Sequence, residues 1–199
     1  MTDAAPRPAM GAAARWGFVV FMLALTALFV ALGVWQLNRL GEKQALIAAV
    51  ETRAGLDPVP LPPVADWPAL DPEGFDFRPV TVTGIYVPEA TVQVFTSLSE
   101  ARGAHGGAGY WLMTPLVLED GAGVVWVNRG FVPQDLAEDY RGGADLGEDH
   151  VTVAGFARKP EAANAFTPPA DPDEGRDWVR DPERLSQFLS GPLAELPVA

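Results

Sequence analysis

From Trp16 to Trp35 the chain reads WGFVVFMLALTALFVALGVW, an unbroken apolar run without a charge. As a helix rising 1.5 Å per residue, such a run crosses the roughly 30 Å apolar layer of a bilayer. Trp16 and Trp35 stand at its ends, where amphipathic rings favour the headgroup level, and Arg15 and Arg39 lie just outside. A cleaved signal peptide is the rival reading, encouraged by the small residues Ala31 and Gly33. Its apolar region is usually about 7–15 residues, shorter than this one, so a spanning anchor is expected. Arg7 and Arg15 precede the run, while Arg39, Lys43 and Arg53 follow it, so the charge rule does not set the orientation. The acidic remainder of the chain fits an N-terminus inside and a translocated domain.

The helical pattern is expected to continue to near Gly55, because the stretch after Trp35 lacks proline and is rich in Leu, Ala, Glu, Gln and Lys. At about 100° per residue, Trp35, Gln36, Arg39 and Lys43 fall within one quadrant of that helix. The stripe reads either as cations snorkelling to headgroups or as a docking or anion-binding face. Residues 56–72, LDPVPLPPVADWPALDP, are dense in proline and predict an extended linker or an arm over the domain. Period-two runs then predict strands at Arg78 to Val87, Thr91 to Thr96, Tyr110 to Glu119, Val124 to Phe131 and Val151 to Ala157. Each can bury one face: Val80, Val82 and Tyr86 on the first, Leu112, Leu116 and Leu118 on the third. Asp120-Gly121 and the Gly103 to Gly109 stretch signal turns between antiparallel neighbours. Asp181-Pro182-Glu183 reads as an N-cap, a first-turn proline and a dipole-matching acid, before a short helix burying Leu185, Phe188 and Leu189. That helix is expected to stop at Gly191-Pro192.

The expected fold class is therefore a membrane-anchored α+β chain: one N-terminal transmembrane helix, then a mainly antiparallel domain, barrel-like or sandwich-like, with short helices. Its parts are a cytoplasmic tail (1–15), a transmembrane helix (16–37), a juxtamembrane helix (38–55), a proline-rich linker (56–74) and an extracytoplasmic β-rich domain (75–199).

Composition removes several function classes. The chain has 199 residues, a formal charge of −12 and a pI near 4.5, which excludes a phosphate-binding nucleic-acid surface. It contains no cysteine, so disulfides, thiolate chemistry and Cys-based metal sites are excluded. His105 and His150 lie in polar or glycine-rich surroundings without organised partners and read as loop histidines. The glycines around His105 lack P-loop and dinucleotide spacing. Asp135, Glu138, Asp139, Asp145, Glu148 and Asp149 read as a solvated face. No Gly-x-Ser-x-Gly or His-Glu-x-x-His occurs. A membrane-anchored extracytoplasmic hydrolase or ligand-binding module using His105 and the acids stays as the alternative function.

One segment calls for a partner. In Val125-Trp126-Val127-Asn128-Arg129-Gly130-Phe131-Val132-Pro133 an arginine ends a hydrophobic strand. It reads either as an internal salt bridge, for example to Asp181 or a linker acid, with Asn128 and Gly130 making a turn or bulge, or as a guanidinium offered to a carboxylate outside the domain. A haem propionate or an acid of a partner subunit would suit it.

The same segments resemble, in order, the Surfeit locus protein 1 family of cytochrome c oxidase assembly factors. The pieces are Gly33-Val34-Trp35-Gln36-Leu37 with Arg39, Lys43, Leu46 and Ile47; Pro58-Val59-Pro60-Leu61-Pro62; and Phe77-Arg78-Pro79-Val80 with Gly84. The most specific are Gly109-Tyr110 through Thr114-Pro115, Val127 through Pro133, and Trp178 through Asp181 after Asn164, Phe166 and Pro168. The resemblance implies an assembly factor and not a turnover enzyme, acting in haem a insertion into the catalytic oxidase subunit. It implies a bacterial inner membrane with the domain on the periplasmic side. The implied partners are the membrane, the catalytic subunit of cytochrome c oxidase and the haem a delivery machinery, with no nucleic acid. The interaction candidates are Trp35, Gln36, Arg39 and Lys43 near the bilayer surface, and Arg78, Asn128, Arg129 and Gly130 on the domain. No catalytic residue and no metal ligand is expected. The chain departs from the family in ending before its last β segment and second membrane helix, where bacterial members place a haem-ligating histidine; neither His105 nor His150 matches it. No intrinsic cofactor is expected, and haem a is expected only through that further segment.

Overall fold

A computed structural model describes residues 11–99, 103, 105–143, 146–147 and 149–199. The first ten residues of the expected tail, and Asp145 and Glu148, lie outside the described residues. The chain divides into two compact units, residues 1–52 and 53–199. In the first, α1 runs from Ala12 to Ala54 without interruption. The expected spanning and juxtamembrane helices are thus one element, as a stretch free of proline permits. It is long and apolar enough to cross a membrane. Thr26, the one hydroxyl in the Trp16–Trp35 run, donates to the Met22 carbonyl at 2.8 Å, which satisfies it without water.

The second unit is built on one mixed seven-stranded sheet. Its strands are β1 (Val59–Pro60), β2 (Pro79–Tyr86), β3 (Val92–Leu98), β4 (Gly107–Leu118), β5 (Val124–Pro133), β6 (Val151–Phe156) and β7 (Arg176–Asp177). All five predicted runs are strands. The sheet branches because β4 is long enough to serve three neighbours. β5 lies along one edge, from Gly109↔Pro133 to Val117↔Val124. On the opposite edge β3 pairs with Gly107 to Met113, and β2 with Leu116 to Leu118. β2 carries β6 from Pro79 to Gly84. These four pairings are antiparallel, whereas β1 joins β2 and β7 joins β3 in parallel. Gly84 sits where β2 crosses from β6 to β4; a Cβ there would stand 2.1 Å from the Val117 carbonyl oxygen, so only glycine allows the approach.

The one-sided burial expected of the third run is not what β4 shows. Leu112, Met113, Thr114 and Leu116 are all buried, because a central strand is covered on both faces. The main core joins Val92, Val94, Met113, Val124 and Trp126 to Leu185 and Leu189.

The proline-rich stretch lies on the domain as an arm. β1 supplies two rungs beside Val80 and Thr81, and Leu61 N donates to Thr81 O at 2.8 Å. Trp67, in a 3-10 turn at Val64–Ala69, donates its indole N–H to Pro62 O at 2.9 Å and packs on Gly123. The short helix α2 (Pro72–Phe75) is capped by Asp71, which accepts from the Glu73 and Gly74 amides. At the other end, α3 (Pro182–Leu185) carries the expected Asp181 cap. The last residues then turn back onto β5: Val124 N bonds Pro197 O at 2.9 Å, Ala199 N bonds Val124 O at 3.0 Å, and Trp126 N bonds Ala199 O at 2.8 Å.

Candidate functional site

A cleft of about 860 Å³ opens in the second unit between β5, the β6 strand with its exit, the arm and the start of α3. Its walls are mostly apolar, with Trp67, Phe75, Val80, Trp111, Trp126 and Leu185 among them. Four cations line it (Arg129, Arg158, Lys159 and Arg180) against three acids, Asp76, Asp181 and Glu183. An apolar pocket with a few convergent polar groups is the ordinary form of a binding site.

Arg158, Lys159 and Arg180 sit in the segments that follow β6 and β7, whereas Arg129 sits within β5. Asp76 is buried and accepts from Arg158 Nε and the Lys159 amide, both at 3.0 Å. The Arg158 guanidinium lies 4.1 Å from the ring centroid of Phe77. Phe77 holds φ 63°, a left-handed backbone that a bulky residue rarely adopts. Strain of this kind persists only where the surroundings over-determine it, here the bond from Phe77 N to Ala157 O at 2.8 Å and the Arg158 stack. Lys159 Nζ pairs with Glu73 at 2.6 Å. Arg180 grips Glu161 through its side chain and its amide, and stands 5.8 Å from the Trp111 ring centroid. Trp126 lines the cleft, and its buried Nε1 has no hydrogen-bond partner among the described residues.

Burial works against the ionised Glu161 carboxyl, but the bonds from Arg180 outweigh it and hold its pKa below the usual range. The clip therefore contributes its full stability above the ordinary carboxylate range and loses it as pH falls through the lowered folded value. Wild-type protein should lose thermal stability on acidification more steeply than Glu161→Gln, as read from Tm against pH. Parallel profiles would show that the clip adds nothing.

Arg129 occupies a β-bulge. Trp111 faces Phe131 and Met113 faces Asn128, so Arg129 and Gly130 together oppose Leu112. Gly130 has φ 126°, and its amide bonds Asn128 Oδ1 at 3.0 Å, the arrangement expected of Asn128 and Gly130. The salt bridge to Asp181 is not formed; Asp181 caps α3. Arg129 instead donates to the Gly143 carbonyl and lies 5.8 Å from the Tyr86 ring centroid. Burial raises the Tyr86 pKa, against the opposing charge of Arg129. No carboxylate pairs with Arg129 among the described residues.

Arg78 enters β2 with its backbone fixed, its amide bonded to Phe75 O at 3.1 Å and its carbonyl to Ala157 N at 2.8 Å. Its half-buried guanidinium makes no ion pair among the described residues. Trp35, Gln36, Arg39 and Lys43 belong to the first unit, all exposed along α1, with the Arg39 guanidinium 5.7 Å from the Trp35 ring centroid. Thus Asn128, Arg129 and Gly130 form one local structure, while the α1 residues form another. Trp126 and Arg180 fall inside stretches that the sequence reading quotes, without a role of their own; Asp76, Arg158, Lys159 and Glu161 were not singled out. Their one signal was the Arg158-Lys159-Pro160 run directly after a predicted strand. His105 and His150 are both exposed, and Glu138 serves an ion-pair network with Arg141 and Arg176.

The SURF1 family model matches residues 23–199. Surfeit locus protein 1 of Mus musculus is 32% identical over 181 residues, covering 84% of this chain and 56% of that protein. A SURF1-like protein of Monosiga brevicollis is 30% identical over 162 residues, covering 77% of this chain and 59% of the relative. Cytochrome oxidase assembly protein SHY1 of Saccharomyces cerevisiae is 31% identical over 147 residues, covering 70% of this chain and 35% of the yeast protein. The chain spans a little over half the length of the first two relatives.

Proposed function

We propose that this chain, which belongs to the SURF1 family, is an assembly factor for cytochrome c oxidase and not a turnover enzyme. The observation that carries this reading is the match, over 70% of the chain, to a yeast relative named as a cytochrome oxidase assembly protein. In this reading α1 inserts in the inner membrane of a bacterium as an anchor, and the β-rich domain works on the periplasmic side. The domain assists haem a insertion into the catalytic subunit, or stabilises that subunit while it happens. The apolar cleft with its cationic lining supports a role in binding an amphipathic, acid-bearing group or segment. Haem a, if this protein holds it, would draw its iron ligand from outside the described residues.

The test is deletion of the gene, followed by oxidase activity per oxidase subunit and haem a content in the same membranes. Loss of both, restored by the gene, supports assembly at the haem step. Unchanged values with no compensating paralogue would move the reading to an anchored hydrolase or ligand-binding module.

Within the same assay, Arg129→Glu should lower oxidase activity severalfold while the protein remains at normal level in the membrane. Charge reversal turns a guanidinium that would meet a partner's acid into a carboxylate that repels it; because it also removes the donor to the Gly143 carbonyl, the protein level in the membrane is the control. If the variant protein instead disappears from the membrane, Arg129 is a folding residue and not a contact.

A further inference from the structure

Phe166 is 93% exposed, more than any other large apolar side chain described, including those on α1, where Trp16 reaches 70%. Single exposed apolar residues are ordinary on protein surfaces. This one differs in how firmly it is held. The loop that carries it is fastened at one end by the Glu161–Arg180 clip. At the other end, Asp171 and Arg176 exchange backbone bonds of 2.8 and 2.9 Å, and Arg184 donates to Pro168 O at 2.8 Å. Within the tip, the Phe166 amide bonds Asn164 Oδ1 and the Asn164 amide bonds Thr167 Oγ1, each at 2.9 Å. Thr167 N closes the turn on Asn164 O at 3.0 Å. Residues 162–170 carry no charge, although the chain as a whole stands at −12. A bare ring on a neutral, pre-ordered tip has little conformational freedom left to lose on binding.

We propose that Phe166 docks the domain to a protein partner by entering an apolar pocket with a neutral or basic rim. Resting on the assembly reading above, that partner is a subunit of the oxidase. A bilayer is the less suitable occupant. Residues 162–170 offer no Trp, Tyr, Lys or Arg to meet headgroups, Glu161 on one side is held by Arg180, and Asp171 and Asp173 on the other oppose approach to an anionic surface. A lone aromatic side chain filling a desolvated pocket is, by contrast, the usual form of an interface anchor.

The experiment places the photo-reactive residue p-benzoylphenylalanine at position 166 of the full chain in its own membranes. After irradiation, adducts are identified with antibodies to oxidase subunits. An adduct with an oxidase subunit is expected, and Phe166→Ala should reduce oxidase recovery on the tagged protein at least about tenfold. Because the ring buries almost nothing within the domain, Phe166→Ala should leave Tm unchanged. Asn164→Ala, which keeps the ring and unlocks the turn, should lose part of the recovery. Adducts with lipid alone, or none, together with normal recovery by Phe166→Ala, would overturn the proposal. If gene deletion spares the oxidase while position 166 yields an adduct with one membrane protein identified by mass spectrometry, whose recovery Phe166→Ala abolishes, the assembly reading fails and the docking role of Phe166 stands.

Discussion

Replacing Asp177 by alanine is expected to destabilise the domain by about 3–5 kcal/mol, in the lower part of that range. Asp177 is fully buried on β7, and both its carboxylate oxygens lie 2.8 Å from Arg184 Nε. It also accepts the Trp178 amide at 2.6 Å. Truncation strands an arginine whose side chain is only 22% exposed, and leaves a backbone donor without its acceptor. The loss is moderated because Arg184 keeps the Pro168 carbonyl. Unfolding of the detergent-solubilised chain, followed by the circular dichroism of the strands, should show Tm lowered by roughly 6–16 °C. Removing both charges together, as Asp177→Leu with Arg184→Met, should cost less than Asp177→Ala alone, since no unpaired ion remains. A wild-type Tm for the alanine variant would mean that water reaches the site and the pair contributes nothing.

Leu185→Ala should cost about 2–5 kcal/mol. Leu185 is wholly buried among Val92, Val94, Met113, Val124 and Trp126, yet it stands on a helix of only four residues. A helix that short has no stability of its own, so its core contact is what keeps it formed. The effect should be spatially specific. With α3 loosened, the following segment should leave β5, and amide exchange should rise at Val124 and Trp126, whose N–H groups bond Pro197 and Ala199. Equal acceleration at every strand would instead show one cooperative unfolding unit. Asp177 and Leu185 serve the same segment, so their effects should not add.

The elements with a long periodic signal were legible in the sequence. β2 to β6 each run six or more residues rich in β-branched, aromatic or apolar side chains, and Asp181 announced the start of α3 through its cap and Pro182. β1 and β7 carry two residues each, too few to show any period, and both are held by partners distant in the chain. The pairing of residues 197–199 with β5 was hidden for the same reason. The candidate site was half legible. A buried-strand arginine beside glycine pointed to a bulge, and Asn128, Arg129 and Gly130 form one. The partner of Arg129 could not be read, because Gly143 offers a backbone carbonyl, which every residue has. Nor could the cleft cations Arg158 and Arg180 be separated from surface charge, since their distinction lies in Asp76 and Glu161, 82 and 19 residues away.

The branching of the sheet at β4 has a kinetic meaning. β3, β4 and β5 are neighbours in sequence and in space, so this meander can assemble once residue 133 is available. β1 and the β2–β4 rungs are available by then as well, but three pairings wait on later chain: β6 closes on β2, β7 on β3, and residues 197–199 on β5. Pairings across such separations form slowly, and until they do the edges of β2, β3 and β5 stand open as templates for other chains. During synthesis, a half-made domain therefore passes through a sticky interval that these edges leave only as residues 151–199 pair with them. Quality-control proteases and holding chaperones would meet it in that interval.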